Sequence, residues 1–454
     1  MSTPLNRGRR EALLEKLEKA NAEFLSSNPG DSGARQPVHT VYGGAQLFRS
    51  STATRFGELA LAAMAEYAPT SVEFANGLGL ADPPTITDKM YEKVQRKLRE
   101  EPVEDFRIDF EDGYGIRPAG EEDQHAEAVA GEVAKGLSQG TLPPSIGIRI
   151  KSFGQPTMAR SVRTLELFVT ALARAGGHGL TRLIVTLPKV SGPAQVEVLN
   201  DLLGALEHEL GLPNHWLKIE VMIETPQALV APSGEIQIRK LLAAAAGRCL
   251  GVHLGPYDYT ASLNITASEQ SLMHPACDFV RNVISVALSG TGVALADGPE
   301  NMMPIGPHRA AAEQLTMQQR QQNWHAVHRA WSLSCRNIQH ALSSGIFQGW
   351  DLHPAQLPAR YGAVYSFFLR SLDSDALRLK TLIDKAAQAR LLESVFDDAA
   401  TGQGLLNSFR RAVQCGAISG QEAQQMTGLT SEELATRSFE KIVSARPSRS
   451  SPSS

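Results

Sequence analysis

Apolar positions along the chain follow two alternating periods. Short runs rich in Ile, Val and Leu occur at His39–Gly44, Phe106–Asp112, Ser145–Lys151, Arg182–Val190, Leu217–Thr225, Cys249–Tyr259, Gly292–Asp297 and Phe347–His353. Their length and β-branched content predict eight strands. Helical patterns fill the gaps at Thr54–Tyr67, Asp88–Glu100, Glu121–Leu137, Ala159–Ala175, Ala194–Leu210, Glu235–Ala246, His274–Leu288 and Met317–Ser343. From the second strand onward each gap is long enough for one crossover helix. Eight βα units in series predict an α/β fold, a (β/α)8 TIM barrel. A doubly wound open sheet is the alternative. It would more often carry a glycine-rich phosphate loop after its first strand, and neither GxGxxG nor GxxxxGK[ST] occurs here.

Beyond about Leu369 the pattern is wholly helical, at Ser371–Glu393 and Gly404–Gly416, and a short helix follows the cap-like Thr430-Ser-Glu-Glu. The chain thus divides into a helical arm and linker (1–36), a barrel (37–370), a helical appendage (371–444) and a disordered tail (445–454). The appendage reads as a lid or an oligomer contact.

Composition removes several function classes. Lys and Arg number 44 against 48 Asp and Glu, a formal net charge of −4. That leaves no electrostatic case for nucleic acid as the main partner. Cys249, Cys277, Cys335 and Cys415 lie far apart with no C-x-x-C pair, against structural zinc or a disulfide framework and for a cytoplasmic location. The first residues lack the apolar core of a signal peptide, and the strongly apolar stretch Leu241–Ala246 is too short to span a bilayer.

Chemistry concentrates at the strand ends, which in a barrel face the active site. In order they read RIDFEDGYG, GIRIKS, VTLPKV, VMIETP, HLGPYDYT, LADGPEN and WDLHPAQ. Glu224 and Asp258 are read as ending neighbouring strands, so their carboxylates can converge on one cation. Hard oxygen ligands plus water suit Mg²⁺ or Mn²⁺, whereas zinc would want His or Cys. The competing reading is a pair of salt bridges or helix caps. Glu111 and Asp112 follow Asp109; three acids within four residues need a cation, water or an arginine to compensate them. Their functional reading is support for metal-bound water. Arg149, in an apolar strand, needs an anion: a substrate oxygen, or one of those acids as a structural pair. Lys151 points the same way by period 2. Lys189 is a candidate to support the metal site beside Glu111 and Asp112 or, as a weaker alternative, a Schiff-base lysine. For proton transfer the candidates are His253, His353, and Asp397 or Asp398 of the appendage, with His353 and Asp398 carried forward.

At these residues the sequence resembles the HpcH/HpaI aldolase–citrate lyase β-subunit family, over roughly residues 38–370. The family's acidic strand motif appears as Asp109-Phe110-Glu111-Asp112-Gly113, its substrate arginine as Arg149, and its Leu-Pro-Lys-Val run as Leu187 to Val190. Its metal-binding Ile-Glu-Thr matches Ile223-Glu224-Thr225, and its Gly-x-x-Asp segment matches Gly255 to Leu263 with Asp258 as ligand. The late Ile-His-Pro is Leu352-His353-Pro354. The resemblance implies a Mg²⁺-dependent C–C lyase or condensing enzyme for an α-keto acid or acyl-CoA, usually trimeric or hexameric. It implies substrate contacts at Arg149, Lys151, Gly255 and Pro256. Some relatives are similar to malate synthase, where a C-terminal aspartate acts as base. The insertion Ala68–Glu104 and Lys151-Ser152, in place of the usual asparagine, depart from the pattern. The competing class is a non-catalytic barrel that binds a carboxylate metabolite. Phosphoryl transfer would need a nucleotide motif, which the chain lacks.

Overall fold

The structure, a computed structural model, describes residues 6–309, 314–391 and 399–446, with residues 387–391 as backbone only. Eight strands run β1 His39–Gly44, β2 Asp105–Asp109, β3 Ser145–Arg149, β4 Leu183–Leu187, β5 Leu217–Ile223, β6 Cys249–Leu254, β7 Ala294–Pro299 and β8 Gln348–Asp351. All neighbours are parallel and in chain order, and β8 pairs with β1 to close a barrel. The eight expected strands are the eight observed ones; β1 keeps its expected bounds, β7 runs on to Pro299, and the others end earlier than expected. β2 stops at Asp109, so Glu111 and Asp112 lie on the loop beyond it. β6 stops at Leu254, because Pro256 has no N–H to continue a ladder and opens the helix Pro256–Ser262 instead. Asp258 therefore sits in the first turn of a helix and not on a strand end.

Period-2 alternation sorts the side chains into two layers. Val41, Ile108, Ile148, Val185, Val221 and Val252 are fully buried and belong to the large core shared with the helices. Inside the barrel, Tyr42, Met222, Ala296 and Trp350 form a small separate apolar layer. Below it the interior is charged. Arg107 donates to Asp105 at 2.5 Å, to Glu220 at 2.8 Å and to Thr186 at 3.1 Å. His253 joins Glu220 at 3.0 Å through Nε2 and the Tyr42 hydroxyl at 3.0 Å through Nδ1. Burial alone would raise the Glu220 carboxyl, but Arg107 and His253 hold it well below the usual carboxylate range.

The insertion between β1 and β2 forms the helices Ser71–Leu78 and Pro84–Glu100. The first was not anticipated, although Thr70 and Glu73 make a complete capping box there. The arm is one helix, Arg7–Ser27, with no buried residue. At the other end a single helix, Leu357–Leu391, runs straight through residue 370. Helices Ala399–Gln414, Gly420–Thr427, Ser431–Ala435 and Phe439–Ala445 follow. They bury Leu406, Phe409, Phe439 and Ile442. Their Arg411 lines a cavity with Gln36, Asp105 and Gln348 at the N-terminal end of the strands. The described part of the appendage thus reaches the barrel end opposite the expected site, which is not where a lid would sit. Of the expected tail, residues 447–454 lie outside the described residues. Among the described residues no helix is long and apolar enough to cross a membrane.

Arg107 compensates two buried carboxylates at once. Arg107→Ala should therefore cost about 3–5 kcal/mol of stability, because it leaves the buried Asp105 without its cation and Glu220 with only His253 beside it. Urea unfolding checks this, and a loss below about 1 kcal/mol would contradict the role given to the pair.

Candidate active site

A cavity of about 730 Å³ opens at the C-terminal end of the strands. Asp109, Asp112, Arg149, Glu224, Gly255, Pro256, Asp258 and His353 all line it. Most of the residues expected at the site are thus brought to one place. Lys151 is not. Its ammonium turns to the Phe110 carbonyl at 2.6 Å and Glu122 at 2.9 Å, and it sits over the Tyr114 ring. β3 ends at Arg149, so strand alternation no longer governs Lys151. Asp397 and Asp398 lie outside the described residues. His253 is buried inside the barrel, in the charged layer.

Arg149 is anchored by register. Asp109 of β2 is its direct partner across the ladder. Asp109 accepts from Arg149 Nε at 2.7 Å and from Nη2 in a second, short bond, a forked pair. Glu111 approaches Nη1 at 3.3 Å, and the guanidinium lies 4.9 Å from the Tyr42 ring centre. Burial opposes the charge, but Asp109 and Glu111 hold Arg149 above its ordinary range. The structural pairing weighed for Arg149 is therefore present, with one edge of the side chain still on the cavity.

Lys189 holds the acids together. Its ammonium contacts Glu111, lies 3.1 Å from Asp112 and 3.5 Å from Asp258. Burial opposes this charge too, but Glu111, Asp112 and Glu224 raise Lys189 above the normal lysine range. An ammonium so stabilised is a poor nucleophile, which weakens the Schiff-base reading. Asp112, pushed up by burial, is pulled below its usual value by Arg149 and Lys189. Burial instead dominates at Glu111, which is raised.

Glu224 is the exception in this charge balance. It is buried, and one oxygen accepts the Lys189 backbone N–H at 2.7 Å. That N–H is presented by a left-handed backbone, φ 51°, a conformation with a real cost for lysine. No cationic side chain bridges Glu224 among the described residues. Burial pushes its pKa up to about 8; the Lys189 N–H works against this and Glu111 adds to it. Gly255 makes the space: a Cβ there would stand 2.6 Å from Glu224 Oε2.

Among the described residues no group of three or more His, Cys, Asp and Glu side chains is arranged to hold a metal unaided. The fit is of another kind. Glu224 is a buried carboxylate short of positive charge, and Asp258 offers a second hard oxygen on the same cavity. Such a pair suits a cation that keeps several waters. His353 Nδ1 accepts the Ala355 N–H at 3.1 Å, and burial lowers its pKa, so the ring is neutral near pH 7. Sequence reasoning missed Tyr42 and Trp350, which stack at 4.7 Å on the cavity floor. Their signal was a tyrosine and a tryptophan inside two strand patterns.

A family model described as "Domain of unknown function (DUF6986)" matches residues 17–442. No curated protein matches the chain. Similar solved structures include a citrate lyase from Burkholderia xenovorans LB400, 19% identical, covering 74% of this chain and 92% of that one with a TM-score of 0.49. A Haloferax volcanii malate synthase magnesium/glyoxylate complex is 14% identical over 90% of this chain and 96% of that one, TM-score 0.45. The Mycobacterium tuberculosis citrate lyase beta subunit complexed with oxaloacetate and magnesium is 17% identical over 72% and 96%, TM-score 0.37. At these identities and scores they carry no argument about this chain's chemistry.

The Glu224 carboxyl gives a signed pH dependence. Its folded pKa of about 8 lies above the unfolded value, so it favours folding at low pH and loses that advantage as the pH rises toward 8. In chelator, the stability of the wild type relative to Glu224→Gln should fall from about pH 5 to about pH 8. Urea midpoints across that range measure it; a difference that stays flat or rises would contradict the assignment.

Proposed function

We propose that the chain, which belongs to the DUF6986 family, is a divalent-metal-dependent enzyme that breaks or forms a C–C bond next to the carbonyl of an α-keto acid or acyl-CoA. The observation that carries this reading is Glu224: a buried carboxylate that no cationic side chain among the described residues bridges, on the same cavity as Asp258 and Arg149. Glu224 and Asp258 would hold Mg²⁺ or Mn²⁺. When bound, that cation would supply Lewis-acid polarisation of a substrate carbonyl.

The chain's own residues do the rest. Arg149, fixed by Asp109, supplies positive charge where the electron pair of the breaking bond moves onto the keto acid. The Asp109 fork costs it mobility and gives it a fixed direction. Lys189 keeps Glu111 and Asp112 from repelling the incoming carboxylate and positions Glu224 through its N–H. His353, neutral and on the cavity wall with Nδ1 taken by the Ala355 N–H, carries its proton on Nε2 and is suited to hold or donate it to a substrate oxygen. In the condensing direction the same groups act in reverse. A homo-oligomeric state, trimer or hexamer, remains part of the proposal from the sequence resemblance.

One observation favours the non-catalytic alternative. The Lys189 ammonium already sits among Glu111, Asp112 and Asp258, so part of their charge is compensated without a metal. A barrel that only binds a carboxylate metabolite would need no more.

Titration calorimetry separates the two. Mg²⁺ should bind the wild type, and Glu224→Ala or Asp258→Ala should abolish binding while circular dichroism shows the fold intact. Unchanged metal affinity in both variants would sink the assignment. Arg149→Lys should lower kcat/KM by on the order of 10²-fold on whichever keto acid or hydroxyacyl-CoA is turned over, since a point charge cannot replace the fork. Near-wild-type kcat/KM would reject that role.

A further inference from the structure

The cavity has two halves of different character. Its polar pole holds Asp109, Asp112, Arg149, Glu224 and Asp258. Its other half is a pouch between the start of helix Thr52–Tyr67 and the loop after β8. Leu47, Phe48, Phe56, Leu59 and Leu352 form its walls. Beside these five walls Thr52 brings a hydrogen-bonding side chain, and its hydroxyl accepts the Arg49 N–H at 2.8 Å.

The pouch is built into the packing. Phe106 stacks beside Phe48 and Phe56 at 5.3 and 6.0 Å between ring centres. Gly43 lets it: a Cβ there would stand 2.7 Å from the Phe106 ring. At the mouth, Leu47 is 73% exposed, Leu59 39% and Leu352 37%. A single exposed leucine needs no explanation, but three converging on one concavity make an apolar patch of the kind that meets a ligand. About 730 Å³ is also room for a ligand well beyond a three-carbon acid. Trp350 lines the same cavity, and its buried indole N–H has no acceptor among the described residues.

We infer that the molecule taken by this site carries an apolar tail, aliphatic or aromatic, several carbons long, and that the pouch holds that tail while the oxo-acid head faces Arg149 and Glu224. The inference rests on the head-group chemistry proposed above. The occupant is a hydrocarbon rather than a pantetheine arm, whose two amides would lie against carbon walls with only the Thr52 hydroxyl beside them.

The test is ligand titration, by calorimetry or ligand-detected NMR, on the full chain with Mg²⁺ present. Pyruvate, 2-oxooctanoate and octanoate are compared on the wild type and on the double variant Leu47→Asp/Leu59→Asp. Both leucines are solvent-exposed, and Leu47→Ala/Leu59→Ala serves if the charged pair fails to fold. Each buried methylene is worth roughly fourfold in affinity. The wild type should therefore bind 2-oxooctanoate at least about tenfold tighter than pyruvate. The variant should keep pyruvate affinity and lose that preference. Equal affinities in the wild type, or a preference unchanged in the variant, overturn the inference. Octanoate separates the two claims. If it binds as tightly as 2-oxooctanoate, the pouch stands and the oxo-acid reading falls. If pyruvate binds with Mg²⁺ and chain length adds nothing, the pouch falls and the oxo-acid reading stands.

Discussion

Closing eight parallel strands forces every inward side chain into one narrow, water-poor column, and in this protein that column is charged. A buried charge is tolerated only when a partner compensates it. The lower interior meets this rule with Arg107 between Asp105 and Glu220, and with His253 bridging Glu220 to Tyr42. The apolar layer of Tyr42, Met222, Ala296 and Trp350 then caps that network. Above the cap the rule is applied again, as Asp109 clamps Arg149 and Lys189 gathers Glu111, Asp112 and Asp258. Glu224 is where it is left unfinished.

That gap links the architecture to the chemistry. A strained lysine backbone spends its N–H on Glu224, and a glycine clears the space beside it. Both devices position a carboxylate that no cationic side chain among the described residues bridges. Such a group either stays protonated or takes a cation from solution, and Asp258 supplies a second oxygen for the latter. The same cavity runs on into an apolar pouch. The polar pole and the pouch together describe an amphipathic small molecule as the occupant, in keeping with a net charge of −4 that offers no electrostatic case for nucleic acid.

Much of this was legible in the chain. The strand count came from alternation of apolar runs with helical stretches, because barrel strands are buried on both faces and read as continuous apolar segments. The acids, Arg149 and Lys189 stood out because charge is rare next to such segments. Two site residues were misplaced for one cause: local period was carried past a strand's end. Asp258 was placed on β6 although Gly255-Pro256 already breaks it. Lys151 was assigned to the Arg149 face although β3 ends one residue after Ile148. Apart from the Arg149 pairing, contacts remote in sequence were not readable. Nothing in the order of residues announces that the Lys189 ammonium reaches Asp258, or that Arg411 of the appendage reaches the far end of the barrel.

The central claim is that Glu224 and Asp258 share a divalent cation. The most direct measurement is an anomalous difference map from crystals grown with Mn²⁺ and oxalate, a planar mimic of an oxo acid's reactive form. The account predicts one manganese peak within about 2.2 Å of a carboxylate oxygen from each of Glu224 and Asp258, with the Lys189 ammonium withdrawn from Asp258. A peak elsewhere, or oxalate bound with Lys189 still paired to Asp258 and no manganese beside Glu224, would contradict it.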